Sequence, residues 1–234
     1  MRTILLGGAL ALGALAGGVP AGKAGEFDTA FSDMYASYRS ALFETNAGKA
    51  ESARGALEAL DSQLGALAAT YGAAPPPRYA EDPSWSGTLA SAQGMVATAT
   101  REAEEGRLPE AHESLEGVRD LFWELDRRNG AQSFSDRMNA YHAEMETILG
   151  RDLGTLGAEE VATLREQAAV LAYLAGEVTR APHPGGPGYE ELAGRFTASV
   201  EAMLAAARSG DPERIRAAAA GLKPAYSRLF LKFG

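Results

Sequence analysis

The chain has 234 residues, a formal net charge of −9 and no cysteine. An acidic chain repels nucleic acid and anionic membrane surfaces, so neither is expected as a partner. Without cysteine there are no disulfides, no thiolate metal sites, no thiol catalysis and no c-type haem attachment.

Residues 1–24, "MRTILLGGALALGALAGGVPAGKA", carry an early Arg2, then an apolar run from Ile4 to Val19, then small residues. That is the layout of a secretory signal peptide, with cleavage expected after Ala21 or Ala24. The run is Gly-rich and short for the roughly 20 residues a membrane span needs, so no membrane insertion is expected after cleavage. No cysteine follows it, so a lipoprotein anchor is not expected. The abundance of Ala, Gly and Arg suits a GC-rich bacterium, which makes the periplasm the expected compartment. Loss of Arg2 and Lys23 takes the net charge from −9 to −11.

The remainder is written twice. "FSDMYASY" at 31–38 returns as "FSDRMNAY" at 134–141, an offset of 103. Leu57, Leu60, Leu64 and Leu67 return as Val161, Leu164, Ala168 and Leu171, an offset of 104. A Pro-rich loop then interrupts each copy, and Trp85 or Tyr189 opens the next segment. Gly117, Val118, Arg119, Phe122 and Leu125 return as Gly221, Leu222, Lys223, Tyr226 and Leu229.

Helical periodicity places segments at 27–45, 48–71, 85–105 and 108–128, and again at 133–149, 158–179, 188–208 and 211–232. Asp211 before Pro212 is a helix start, and Gly72 and Gly130 stand where helices should stop. Pro224 is expected to kink or restart the last helix. The fold class expected is all-α: two tandem antiparallel four-helix-bundle repeats, residues 25–130 and 131–234. One merged eight-helix array is the alternative.

The closing hairpins, "REAEEGRLPEAHESLEGVRDLF" at 101–122 and "AARSGDPERIRAAAAGLKPAYSRLF" at 206–230, share a short Gly turn, an acidic Ala-rich start and a final aromatic turn. Here the chain resembles the soluble periplasmic b-type cytochromes. The resemblance implies a four-helix bundle that holds haem between a Met early in its first helix and a His late in its last. Met34 and Met138 match the Met. The His positions hold Asp126 and Phe230, so haem would need a ligand such as His142 by another geometry.

The stretch "RMNAYHAEMETIL" at 137–149 carries the main metal candidates, Met138, His142 and Met145, at i−4, i and i+3. Two thioethers and an imidazole suit copper, because thioethers are soft donors; haem iron is the second choice. Glu144 or Glu146 would complete the set. The same spacing is also that of an apolar seam, Phe134, Met138, Tyr141, Met145 and Ile148, with Met as filler and His142 as its flank. The first copy has Tyr35, Arg39 and Leu42 there, so any metal site belongs to residues 133–234, and Arg39 is expected beside an acid.

His112 is expected on a solvated helix face, and His183 in a surface loop. No Glu-x-x-His pair, phosphate loop or serine nucleophile motif appears. The expected function is therefore a non-catalytic periplasmic binding or accessory protein, with copper favoured as cofactor. One alternative is an interaction module that meets a protein partner through the apolar terminus "YSRLFLKFG". The other is a b-type haem electron-transfer protein with unusual ligation.

Overall fold

The computed structural model describes residues 21–183 and 185–234. Residues 1–20 of the expected leader lie outside the described residues, and 21–24 begin the first helix. Among the described residues all regular structure is helical. The eight helices are α1 (Ala21–Asn46), α2 (Ala50–Tyr71), α3 (Trp85–Glu104), α4 (Leu108–Arg128), α5 (Phe134–Leu149), α6 (Ala158–Arg180), α7 (Tyr189–Ser209) and α8 (Pro212–Phe233). None is long and apolar enough to cross a membrane.

The helix ends follow from local chemistry. Ser133 and Asp136 form a reciprocal capping box at the start of α5. The Asp211 carboxylate accepts from the N–H groups of Glu213 and Arg214 and so opens α8. Gly106 and Gly210, equivalent in the two copies, turn the chain with φ of +80° and +71°, a conformation that disfavours a side chain with Cβ. Helix α8 runs through Pro224 without restarting.

Within each copy, successive helices pack on one another and the last closes on the first, α4 on α1 and α8 on α5. That is an antiparallel four-helix bundle, formed twice. The leucine ladder of α2 and its α6 counterparts Val161, Leu164, Ala168 and Leu171 point inward and are buried. The two bundles share one continuous apolar core. They meet where α1 packs on α8 and α4 on α5. Since α5 repeats α1 and α8 repeats α4, these two contacts are equivalents of each other. The copies therefore face each other across an approximate two-fold axis, as in an isologous dimer.

The Pro-rich loop of the first copy does more than connect. A 3₁₀ turn at Pro77–Tyr79 folds Tyr79 into the bundle end, where its ring stacks on Trp85 with 4.9 Å between centroids. Trp85 donates its indole N–H to the Tyr71 carbonyl at 2.8 Å. In the second copy, His183 stacks on Tyr189 at 3.6 Å and accepts from the Gly185 N–H.

Candidate functional site

The polar chemistry of the molecule gathers on the seam between the bundles. Near the axis, Asn139 donates from its side-chain amide to the Tyr35 hydroxyl at 3.2 Å. Arg119 reaches across from α4, and its Nη1–H donates to His142 Nδ1 at 3.0 Å. Arg119 also pairs with Glu116 at 3.3 Å and with Asp120 at 3.0 Å. Burial alone would lower the Arg119 pKa, but Tyr38, Asp120 and Glu116 more than offset it, so it stays cationic.

That contact sets the tautomer of His142. Nδ1 accepts from a guanidinium that never deprotonates, so the ring proton sits on Nε2, 3.3 Å from Glu146. Glu146 in turn holds Lys223 at 2.9 Å. The imidazole also stacks on Tyr226, with centroids 5.1 Å apart. Burial, with Arg119 next, pushes the His142 pKa below its ordinary value. The ring is a neutral member of a seam network.

Met138 and Met145 stand apart from it. Both have no exposed surface, as have Tyr141 and Ile148 of the same stripe, and neither lines a cavity of the seam. A copper ion held by Met138, His142 and Met145 would have to displace Arg119 from Nδ1 or Glu146 from Nε2, and reach two sulfurs inside the core. Met34 is likewise wholly buried. Glu144 takes no part in the network, and burial raises its pKa. Among the described residues no three His, Asp or Glu side chains gather as a metal site.

Two openings flank the axis. The smaller, about 70 Å³, lies among Arg39, His112, Glu116, Arg119, His142 and Lys223, with Phe43 and Leu231 at its rim. His112 is half-buried rather than solvated: its Nδ1 lies 3.1 Å from the Leu42 carbonyl, docking α4 onto α1. The larger opening, about 520 Å³, has aromatic walls from both copies, Phe31, Tyr35 and Phe122 from the first, Phe134 and Phe233 from the second. Arg39 lines both openings.

At the floor of the larger cleft, a carboxyl pair joins the bundles. Asp126, at the end of α4, and Asp136, at the start of α5, are both buried and both line this cleft, and the Asp136 charge raises the Asp126 pKa. Burial, then the Asp136 charge, lifts Asp126 to about 7. Asp136 is also raised by burial, but the backbone N–H and hydroxyl of Ser133, at 2.6 Å and 2.7 Å, oppose that. Asp126 is thus the carboxyl that keeps its proton toward neutral pH, and it accepts from the Tyr79 hydroxyl.

The expectation of an acid beside Arg39 is not met. Among the described residues it has no carboxylate partner; its Nε–H donates to the Leu231 carbonyl in the last turn of α8 at 3.4 Å, and its guanidinium lies over the Tyr35 ring. The apolar terminus docks: Leu229, Phe230 and Phe233 are buried, and only Leu231 stays exposed among its large apolar residues. The Asp126–Asp136 pair and Tyr79 were not among the sequence candidates. Their one signal was Asp126 itself, an acid where the other copy carries the buried Phe230. Searches against protein-family models, curated proteins and solved structures found no match.

Proposed function

We propose that this chain is a non-catalytic binding protein, exported to the periplasm by residues 1–24, that holds a small organic molecule between its two bundles. The observation that carries this reading is the cleft of about 520 Å³ walled by aromatic rings from both copies. Its volume is typical of ligand pockets, and so is its make-up of apolar walls with a few convergent polar groups. Tyr35, Arg39, Ser133 and the Asp126–Asp136 pair are those polar groups. His142 is held by Arg119 at Nδ1 and lies against Glu146 at Nε2, so this imidazole is not free to act as a base, which favours binding over catalysis. Copper at Met138, His142 and Met145 is the weaker reading, because it needs the Arg119 contact broken and the core opened.

The test uses the neutral dye N-phenyl-naphthylamine, whose fluorescence rises in apolar surroundings. The expected result is saturable binding to the whole protein, weakened at least about tenfold when Ser32→Trp and Ser135→Trp fill the cleft from its rim. No binding, or equal binding to the filled variant with its helicity intact, overturns the reading.

A further inference from the structure

The charges around the cleft are unevenly satisfied. Arg78 is paired with Asp28. Lys232 donates to the Pro187 carbonyl at 2.7 Å. Asp126 accepts from Tyr79, and Asp136 accepts from the backbone N–H and hydroxyl of Ser133. Those carboxyl oxygens already have partners, which leaves little for a cationic ligand to claim.

Arg39 is the exception. It is half-buried, and buried charges are normally paired with opposite charge. Only its Nε–H is committed to a protein acceptor, and that bond is long. Its two Nη groups form the planar fork that fits a carboxylate, sulfonate or phosphate with two parallel bonds. Burial lowers its pKa, and the one group opposing that is the Tyr35 phenol, not a carboxylate. Arg39 lines both the cleft and the smaller cavity, and its guanidinium lies over the ring of Tyr35, one of the aromatic walls.

We propose that the ligand of this cleft is an organic anion, with its apolar or aromatic body against Phe31, Phe122 and Phe134 and its acidic group held by Arg39. This rests on the cleft being the binding site. The acidic chain repels anions at a distance, so selection for the anion must be made at contact, by this one side chain.

Two dyes with the same anilinonaphthalene body separate the two ideas: neutral N-phenyl-naphthylamine, and anilinonaphthalene sulfonate, which adds one negative charge. Both are titrated into the whole protein, with the Ser32→Trp, Ser135→Trp variant as control for binding elsewhere. The sulfonate is expected to bind about tenfold or more tightly than the neutral dye, the usual factor for one charge-assisted contact. In Arg39→Met, which keeps the apolar stem, the ratio should fall toward one; Arg39→Gln gives a second, polar version should the first misfold, and Arg39→Lys should restore part of the ratio. If both dyes bind in the cleft and their ratio is near one, or is the same in the Arg39 variants, the anion inference fails and the cleft stands. If neither dye binds, the cleft reading fails and the inference falls with it.

Discussion

Asp126→Asn should make this protein more stable at neutral and alkaline pH. Burial and Asp136 lift the Asp126 carboxyl from its usual 3.8 to about 7 in the folded chain. Between those values the native state holds a proton that the unfolded chain has released, so stability falls as pH rises through the window. The penalty is absent below about pH 4 and complete above about pH 7. Each pKa unit is worth roughly 1.4 kcal/mol, so a rise of about three units amounts to on the order of 4 kcal/mol. An asparagine has nearly the same shape and cannot ionise. Its amide oxygen still accepts from Tyr79, and it places no second charge beside Asp136. Urea unfolding of both proteins, followed by far-UV circular dichroism at a series of pH values, measures the difference directly. It should grow from near zero at about pH 4 to several kcal/mol by about pH 7, then level off. A difference that does not change with pH, or a wild type that is the more stable at about pH 8, refutes the raised Asp126 pKa.

Met138→Ala and Met145→Ala should each cost roughly 2–5 kcal/mol in urea unfolding, since both side chains are wholly buried; a much smaller loss, with a copper-dependent rise in melting temperature in the wild type, would restore the metal reading. His142→Arg should cost about 1–3 kcal/mol, because it removes the acceptor of Arg119 and sets two guanidiniums against each other. A change within about ±0.5 kcal/mol would mean that His142 behaves as a plain surface residue. Ser133→Ala should cost about 1 kcal/mol by removing half of the α5 capping box, read from the same unfolding curves.

The helices were legible because their signals are local. The apolar spacing, the Asp211 cap and the glycine stops each act within a turn or two, and α4 begins and ends where the pattern puts it, at Leu108 and Arg128. The repeat then gave the bundle twice over. What stayed hidden lies between the bundles. A helical wheel shows a residue as flanking when it misses the core of its own bundle, and it cannot show that a second bundle covers that flank. His142 and Arg119 were flanks by that measure, and both are seam residues. His112 looked solvated for another reason, since it leaves the core stripe of α4 yet docks on the Leu42 carbonyl of α1 in its own bundle. Tyr79 sits in a Pro-rich loop that reads as a spacer, and its burial depends on Trp85 and on Asp126, 47 positions away. Comparison of the copies is the one sequence operation that reaches the seam, because a polar residue matched to a buried apolar one marks a place where the copies meet unlike surroundings. Asp126 against Phe230 is such a mismatch.

Phe43 against Glu146 is another, at an offset of 103, and it explains why the seam has an unpaired cation at all. Under the approximate two-fold, Arg39 matches His142 and Arg119 matches Lys223, so basic positions of both copies converge on the smaller cavity. In the second copy Glu146 neutralises Lys223 and lies against His142 Nε2. In the first copy the equivalent acid is missing: Phe43 stands there, partly exposed at the cavity rim, with Lys49 over its ring. Phe43→Glu should therefore place a carboxylate against Arg119 and Arg39 and complete the symmetry. Phe43 is 38% exposed, so more than half of its surface is buried and its loss costs on the order of 1–2 kcal/mol. The new ion pair, worth up to about 1 kcal/mol at such a site, offsets part of that, so stability should fall by on the order of 1 kcal/mol with the fold kept. Its effect on binding should be larger. The added negative charge competes for the guanidinium that the anionic dye needs, so the sulfonate should lose its advantage over the neutral dye as it does in Arg39→Met. If Phe43→Glu folds normally and leaves the sulfonate preference untouched, then Arg39 does not sense charge at this rim, and the missing acid has no bearing on what the cleft selects.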